Sequence, residues 1–301
     1  MKKHMFSFRR YWQLYLLLIP SLIYMIVFAY WPMYGVQIAF RNYSPVKGFW
    51  GSQWVGLKHF IRFINYPDFW RLIRNTLGIT IYRLIASFPI PIILAVMINE
   101  VNNRHFKRTI QMVTYIPHFI STVVLCGMIA LFLDREAGIF NLVGSRLGLK
   151  SVAFLTVPRY FKHIFVWSGI WQNTGWGTII YLAALSQVDT QVMEAAIIDG
   201  ASRMQRIWHV NLSHLLPTIV IQLLLSIGRL LSVGFEKILL LQNDLNMEAS
   251  DVISTYVYRT GLLGGQFSYT AAIDLFNTVI NLILLILFNW LARRLTETSV
   301  Y

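Results

Sequence analysis

Nine residues after the fourth apolar segment of the chain carry an unusual density of functional side chains: Glu194-Ala195-Ala196-Ile197-Ile198-Asp199-Gly200-Ala201-Ser202. Glu194 supplies a negative charge. Ala195 and Ala196 are small enough for another backbone to approach closely. Gly200 breaks the helix that holds them, because glycine takes φ > 0 without strain. Ser202 followed by Gln205 is a capping box that opens a second helix, and Asp189 is placed to cap the first. The chemistry is recognition: two short helices at an angle, offering a charge to an arginine on a partner. The alternative is an ordinary hairpin between membrane spans, since Glu-Ala-Ala alone is common in helices.

A second set of polar residues sits inside apolar segments. Gln222, Ser226, Arg229 and Glu236 recur at i, i+4, i+7 and i+14, one stripe of a helix. Asp274, Asn277 and Asn281 recur at i, i+3 and i+7. Arg83 and Arg229 fall near mid-depth of their segments, and Trp167, Trp171 and Trp176 crowd another. Polar groups in hydrocarbon are costly and face the bundle interior. Arg83, Gln172, Arg229, Phe235, Glu236, Asp274, Asn277 and Asn281 are therefore candidates for lining a polar path. Each has a structural alternative. Asn and Gln hydrogen-bond between helices in membrane bundles, Arg229 can be neutralised by Glu236 or Asp274, and the tryptophans can be packing or interfacial anchors.

The elements that must position these residues are membrane helices. Hydrophobic residues make up 56% of the chain and charged residues 13%, against about 25% charged in a soluble domain. Six segments approach the roughly 20 apolar residues that cross a bilayer: 14–36, 72–98, 110–133, 163–186, 217–241 and 270–292. In lipid each is expected to be a helix. Residues 14–31 are too long for a signal core and lack a small-x-small cleavage site, so an uncleaved span is expected. The net charge of +13 is spread through loops rather than gathered on a nucleic-acid face. The basic trio Arg104, Lys107 and Arg108 and the basic chain ends favour cytoplasmic termini.

The first outer loop, 37–71, carries Phe49, Trp50 and Trp54 like an interfacial belt. Leu57, Phe60, Ile61 and Ile64 then follow at helical spacing, with Lys58 and Arg62 on another face. That is a short amphipathic helix lying on the membrane or on a neighbouring subunit. No G-x-x-x-x-G-K-[ST] or H-E-x-x-H is present, and no Cys/His cluster has metal spacing. Neither a catalytic residue nor a metal is expected. Cys126 is the single cysteine, so no internal disulfide can form.

The run from Glu194 to Pro217 resembles the coupling loop of type I ABC importer permeases of the binding-protein-dependent sugar class. Val55-Gly56-Leu57 with Phe60, Tyr115-Ile116-Pro117-His118-Phe119-Ile120-Ser121, Gly234-Phe235-Glu236-Lys237 and Asn289-Trp290-Leu291-Ala292-Arg293-Arg294 resemble further stretches of the same family. Within the class the chain looks similar to permeases of complex oligosaccharides and aldouronates. The resemblance implies an all-α polytopic fold of six transmembrane helices. It implies a first span and outer segment at 1–71, a permease core at 72–292 with the coupling loop at about 189–217, and a cytoplasmic tail at 293–301.

It also implies a bacterial cell-membrane protein that does not hydrolyse ATP itself. A separate cytoplasmic ATPase pair would bind ATP and Mg, a second permease chain would complete the pore, and an extracellular binding protein would deliver an oligosaccharide. Two mid-depth arginines would suit a cargo with carboxylates. One departure stands out. The family's loops place Pro thirteen residues after the Gly, where this chain has Ser213, so the second coupling helix is expected to run to about Leu212 with the break at Pro217. The alternatives are import of a non-sugar solute, an ion-coupled secondary transporter and, last, a membrane enzyme.

Overall fold

The computed structural model of the chain describes residues 2–228, 231 and 233–296, with side chains described between Tyr11 and Trp290. Arg229, one of the candidate path residues, lies outside the described residues. Among the described residues, four helices are long and apolar enough to cross a membrane: Tyr11–Phe40, Phe69–Asn99, Arg203–Ile227 and Phe267–Trp290. A bent pair, Arg104–Phe119 with Thr122–Phe132, makes a fifth if counted as one span. Residues 158–185 form one 28-residue helix, Pro158–Leu185, studded with polar side chains. The chain divides into two compact units, residues 1–66 with 259–276 and residues 67–258 with 277–301.

In the first unit, the two-residue strands Arg41–Asn42 and Gln53–Trp54 pair antiparallel. Arg41 Nη1 closes the loop between them by donating to the Phe49 carbonyl at 2.8 Å and the Ser52 carbonyl at 3.1 Å. The expected amphipathic helix is Lys58–Ile64. Leu57, Ile61 and Ile64 stand exposed, while the face that packs inward carries His59 and Phe63. Phe63 meets Phe276 edge-on at 5.6 Å, and the Arg62 guanidinium lies 4.2 Å above the Tyr269 ring.

His59 is expected to make this first unit sensitive to pH. Its Nε2 lies 3.1 Å from the Arg41 carbonyl oxygen, so that nitrogen carries the proton, and the buried Nδ1 has no partner. Burial holds the pKa below its ordinary 6.5, against the opposing pull of the Arg41 carbonyl, and the nearby Lys58 and Arg62 charges lower it further. The unfolded segment therefore takes up a proton first. Stability is fully present above the unfolded value and is lost as pH falls below it. Hydrogen exchange of residues 53–64, corrected for intrinsic rates, is expected to be faster at about pH 5 than at about pH 7, with His59→Gln removing the difference.

The second unit departs from the expected continuous spans in two places. The segment expected at 110–133 turns through 97° between its two helices. Pro117 has no N–H to donate, Ile120 is extended, and Ser121 starts a new helix by accepting from Val124 N at 3.3 Å. The segment expected at 217–241 is also interrupted. Leu212–Ile227 ends at Gly228, and a separate helix, Phe235–Leu241, begins after Gly234. Gln222 and Ser226 thus share a helix that Glu236 does not, which corrects the single four-residue stripe. Pro217 is not a break either. The helix runs through it from Arg203 to Ile227, by way of a π-turn at Ile207–Asn211. Pro217 and Ser213, whose carbonyl loses its intrahelical donor, both lie on the exposed face.

The core of this unit gathers Ile79, Leu125, Phe161, Phe165, Val166, Ile238 and Val252. Close helix approach is strictest at Gly175, where a Cβ would lie 2.0 Å from the Thr114 carbonyl oxygen. Gly175→Ala must push the Arg104–Tyr115 and Pro158–Leu185 helices apart. A loss of about 2 kcal/mol is expected, read as a lower melting temperature in detergent.

Candidate functional site

Two regions of the second unit hold most of the candidate residues. The first is the hairpin at 189–212. Helix Thr190–Ile198 is capped by Asp189, whose carboxylate accepts from Gln191 N at 2.8 Å. The helix ends as a Schellman turn. Gly200 N–H donates to the Ile197 carbonyl at 3.0 Å, and Ala201 N–H donates to the Ala196 carbonyl at 2.9 Å. Gly200 holds the φ of +77° that this turn requires. Ser202 and Gln205 complete the capping box, with Ser202 N–H donating to Gln205 Oε1 at 2.7 Å. The result presents Glu194, Ala195 and Ile198 outward, with Ile198 85% exposed. Asp199, Gly200, Ala201 and Ala196 line a shallow hollow with Arg206 and His209. A charge, small side chains and an exposed isoleucine thus stand together on the surface of a capped helix.

The second region is a cavity of about 1280 Å³ walled by five separate stretches of chain. Arg83 comes from the second-span helix, His118 and Phe119 from the bend, Gln172 and Trp176 from Pro158–Leu185, Gln222 and Ser226 from Leu212–Ile227, and Phe235, Glu236 and Lys237 from the short helix after Gly234. Of the eight path candidates, the fold brings Arg83, Gln172, Phe235 and Glu236 to this one cavity. Asn277 and Asn281, on the last helix, are not among its lining residues, and Asp274 belongs to the first unit. Asn281 Oδ1 instead accepts from Leu231 N–H at 3.1 Å, as the helix-linking alternative expects.

Gln172 also has a structural task. Its Nε2 donates at 2.8 Å to the Ile120 carbonyl, which the bend leaves outside any helix. Neither Arg83 nor Glu236 joins an ion pair among the described residues. Lys237, absent from the candidates, is buried against this wall. Its Nζ donates to the Phe165 carbonyl at 2.9 Å and lies 5.0 Å from that ring's centre. Its signal was positional: it follows Glu236 directly in a segment otherwise apolar. His118 was also missed as a lining residue. It stacks on Trp176 at 4.6 Å and 7°, with its Nδ1 3.1 Å from Asn173 Oδ1.

A large, mainly apolar cavity that carries two cations and an aromatic stack thus lies in the same unit as a capped hairpin exposed at its surface. Residues 87–297 match the model of the family described as binding-protein-dependent transport system inner membrane component. The chain is 43% identical to Protein LplB of Bacillus subtilis over 96% of its own length and 91% of that protein. It is 42% identical to the polygalacturonan/rhamnogalacturonan transport system permease protein YteP of the same organism, over 96% and 90%. Among solved structures it superposes with a TM-score of 0.90, at 38% identity, on a chain of a bacterial ABC transporter involved in import of the acidic polysaccharide alginate. That match covers 98% of this chain and 99% of the other. A bacterial alginate transporter in complex with an alginate pentasaccharide-bound periplasmic protein matches at a TM-score of 0.90 and 39% identity, over 98% of each chain.

Proposed function

The chain belongs to the binding-protein-dependent transport inner membrane components, and from that premise we propose that its cavity carries acidic oligosaccharides through the membrane. It is a permease subunit, and ATP is hydrolysed on a separate chain. The observation that carries the substrate reading is the pairing of volume and charge. The cavity exceeds the roughly 300–1,000 Å³ of ordinary ligand pockets, and Arg83 and Lys237 both line it. A guanidinium at mid-depth in a span costs too much to be incidental and matches a carboxylate in a two-point hydrogen bond. The names of the polygalacturonan/rhamnogalacturonan relative and of the alginate importers support the same class.

In this reading the hairpin at 189–212 is the docking surface for a cytoplasmic ATPase pair that binds ATP and Mg. Six spans, with Pro158–Leu185 as the fourth, place both chain termini on that side. A second, related permease closes the other half of the pore, and an extracellular binding protein delivers the sugar. ATP binding draws the coupling hairpins together and opens the cavity outward; hydrolysis resets it. The test is uptake into proteoliposomes that hold permease pair, ATPase and binding protein. Acidic oligosaccharides should accumulate only with ATP. Uptake driven instead by an ion gradient without ATP would replace this reading with secondary transport.

A further inference from the structure

The polar contacts that tie the hairpin to the second-span helix converge on Glu100. Glu100 caps the C-terminal end of Pro89–Asn99. Its Oε2 accepts from Arg203 Nε at 2.8 Å, its backbone carbonyl accepts from Arg203 Nη2 at 3.1 Å, and its Oε1 accepts from Asn211 Nδ2 at 3.2 Å. Arg203 opens the second hairpin helix and Asn211 ends the π-turn that follows it, so one residue grips both ends of the 203–211 segment. The Glu100 side chain is 16% exposed and that of Arg203 63%, so the charge pair alone contributes little and the specificity of the contact comes from its buried Asn211 arm. Asn211 is fully buried. Turning its amide over would set oxygen against the carboxylate, so the contact admits one orientation. Beneath the grip, Ile207 and Leu212 pack on Ala95, Val96, Leu185 and Leu215.

We propose that Glu100 is a positioning residue of energy coupling. It makes the hairpin and the second-span helix move as one body, so a displacement imposed on the hairpin reaches the cavity wall at Pro91 and Arg83, which that same helix carries. The inference rests on the reading of the chain as an ATP-driven importer subunit.

The experiment uses the reconstituted complex and measures ATP hydrolysed per oligosaccharide imported. Wild-type complex must first show ATP-dependent uptake; without it the functional reading itself fails. With it, Glu100→Gln is expected to assemble, to keep basal ATP hydrolysis within about twofold, and to consume about tenfold more ATP per sugar, inside the usual range of coupling between sites. Exchanging the partners in Glu100→Arg with Arg203→Glu should recover part of the loss. Normal stoichiometry in Glu100→Gln would overturn the proposal. So would a fall in assembled complex with unchanged stoichiometry per complex, or failure of both variants to assemble, because either result makes the contact a folding staple.

Discussion

Glu194→Lys is expected to lower ATP-driven uptake by about a hundredfold or more while leaving the permease folded. Glu194 is exposed on a helix whose start and end are satisfied locally, by the Asp189 cap and the turn at Gly200. Exposed substitutions away from such features change stability by about 0.5 kcal/mol or less. If the proposed docking sets this charge against a partner cation, reversing it removes an interfacial pair and adds a repulsion, together about 2–5 kcal/mol, and each 1.4 kcal/mol is roughly tenfold in affinity. The melting temperature of the permease should stay near wild type while its ATPase no longer co-purifies. Gly200→Asp should act in the same direction for a different reason. It strains the +77° φ of the turn and sets a new carboxylate beside Asp199. Transport at the wild-type level in both variants would remove the docking assignment from this hairpin.

Arg83→Gln carries the second large effect. Arg83 is half-buried on the cavity wall and joins no ion pair among the described residues. Hydrogen bonds to a charged group contribute about 1.5–3 kcal/mol, so uptake of an acidic oligosaccharide should fall about thirtyfold at limiting concentration. A neutral oligosaccharide of the same length should be imported nearly as well as before. That contrast is the measurement. Equal loss for both cargoes would reduce Arg83 to a packing or gating group and leave the carboxylate reading without its main support.

The hairpin was readable in the linear chain because its determinants are local. Asp189 caps Gln191 two residues on, Ala201 closes on Ala196 five residues back, and Ser202 reaches Gln205. The apolar segments were readable because lipid tolerates only helices there, so length and hydropathy decide the element. Their interruptions were not. A window of about 20 residues averages over Pro117 and over Gly228 and Gly234, and the carbonyl freed at Ile120 is satisfied by Gln172, 52 residues away. The same limit explains Pro217. A proline usually ends a helix, but here the strain falls on an exposed face downstream of a π-turn.

What the amino-acid sequence determined by itself was the class of element, the capped hairpin at 189–212 and the kinds of polar side chain placed within apolar segments. The tertiary structure decided which of those side chains meet. Spacing along one helix placed Asp274, Asn277 and Asn281 beside Arg83 and Glu236 as equals, because periodicity reports a shared face and not what that face touches. Packing sent Asn281 to a backbone amide, brought Lys237 to the Phe165 carbonyl, and stood His118 on Trp176. It also joined Glu100 to Arg203 across 103 residues. Contacts between segments far apart in the chain depend on helix bends and on close approach at positions such as Gly175, and these arise only when the helices pack against one another.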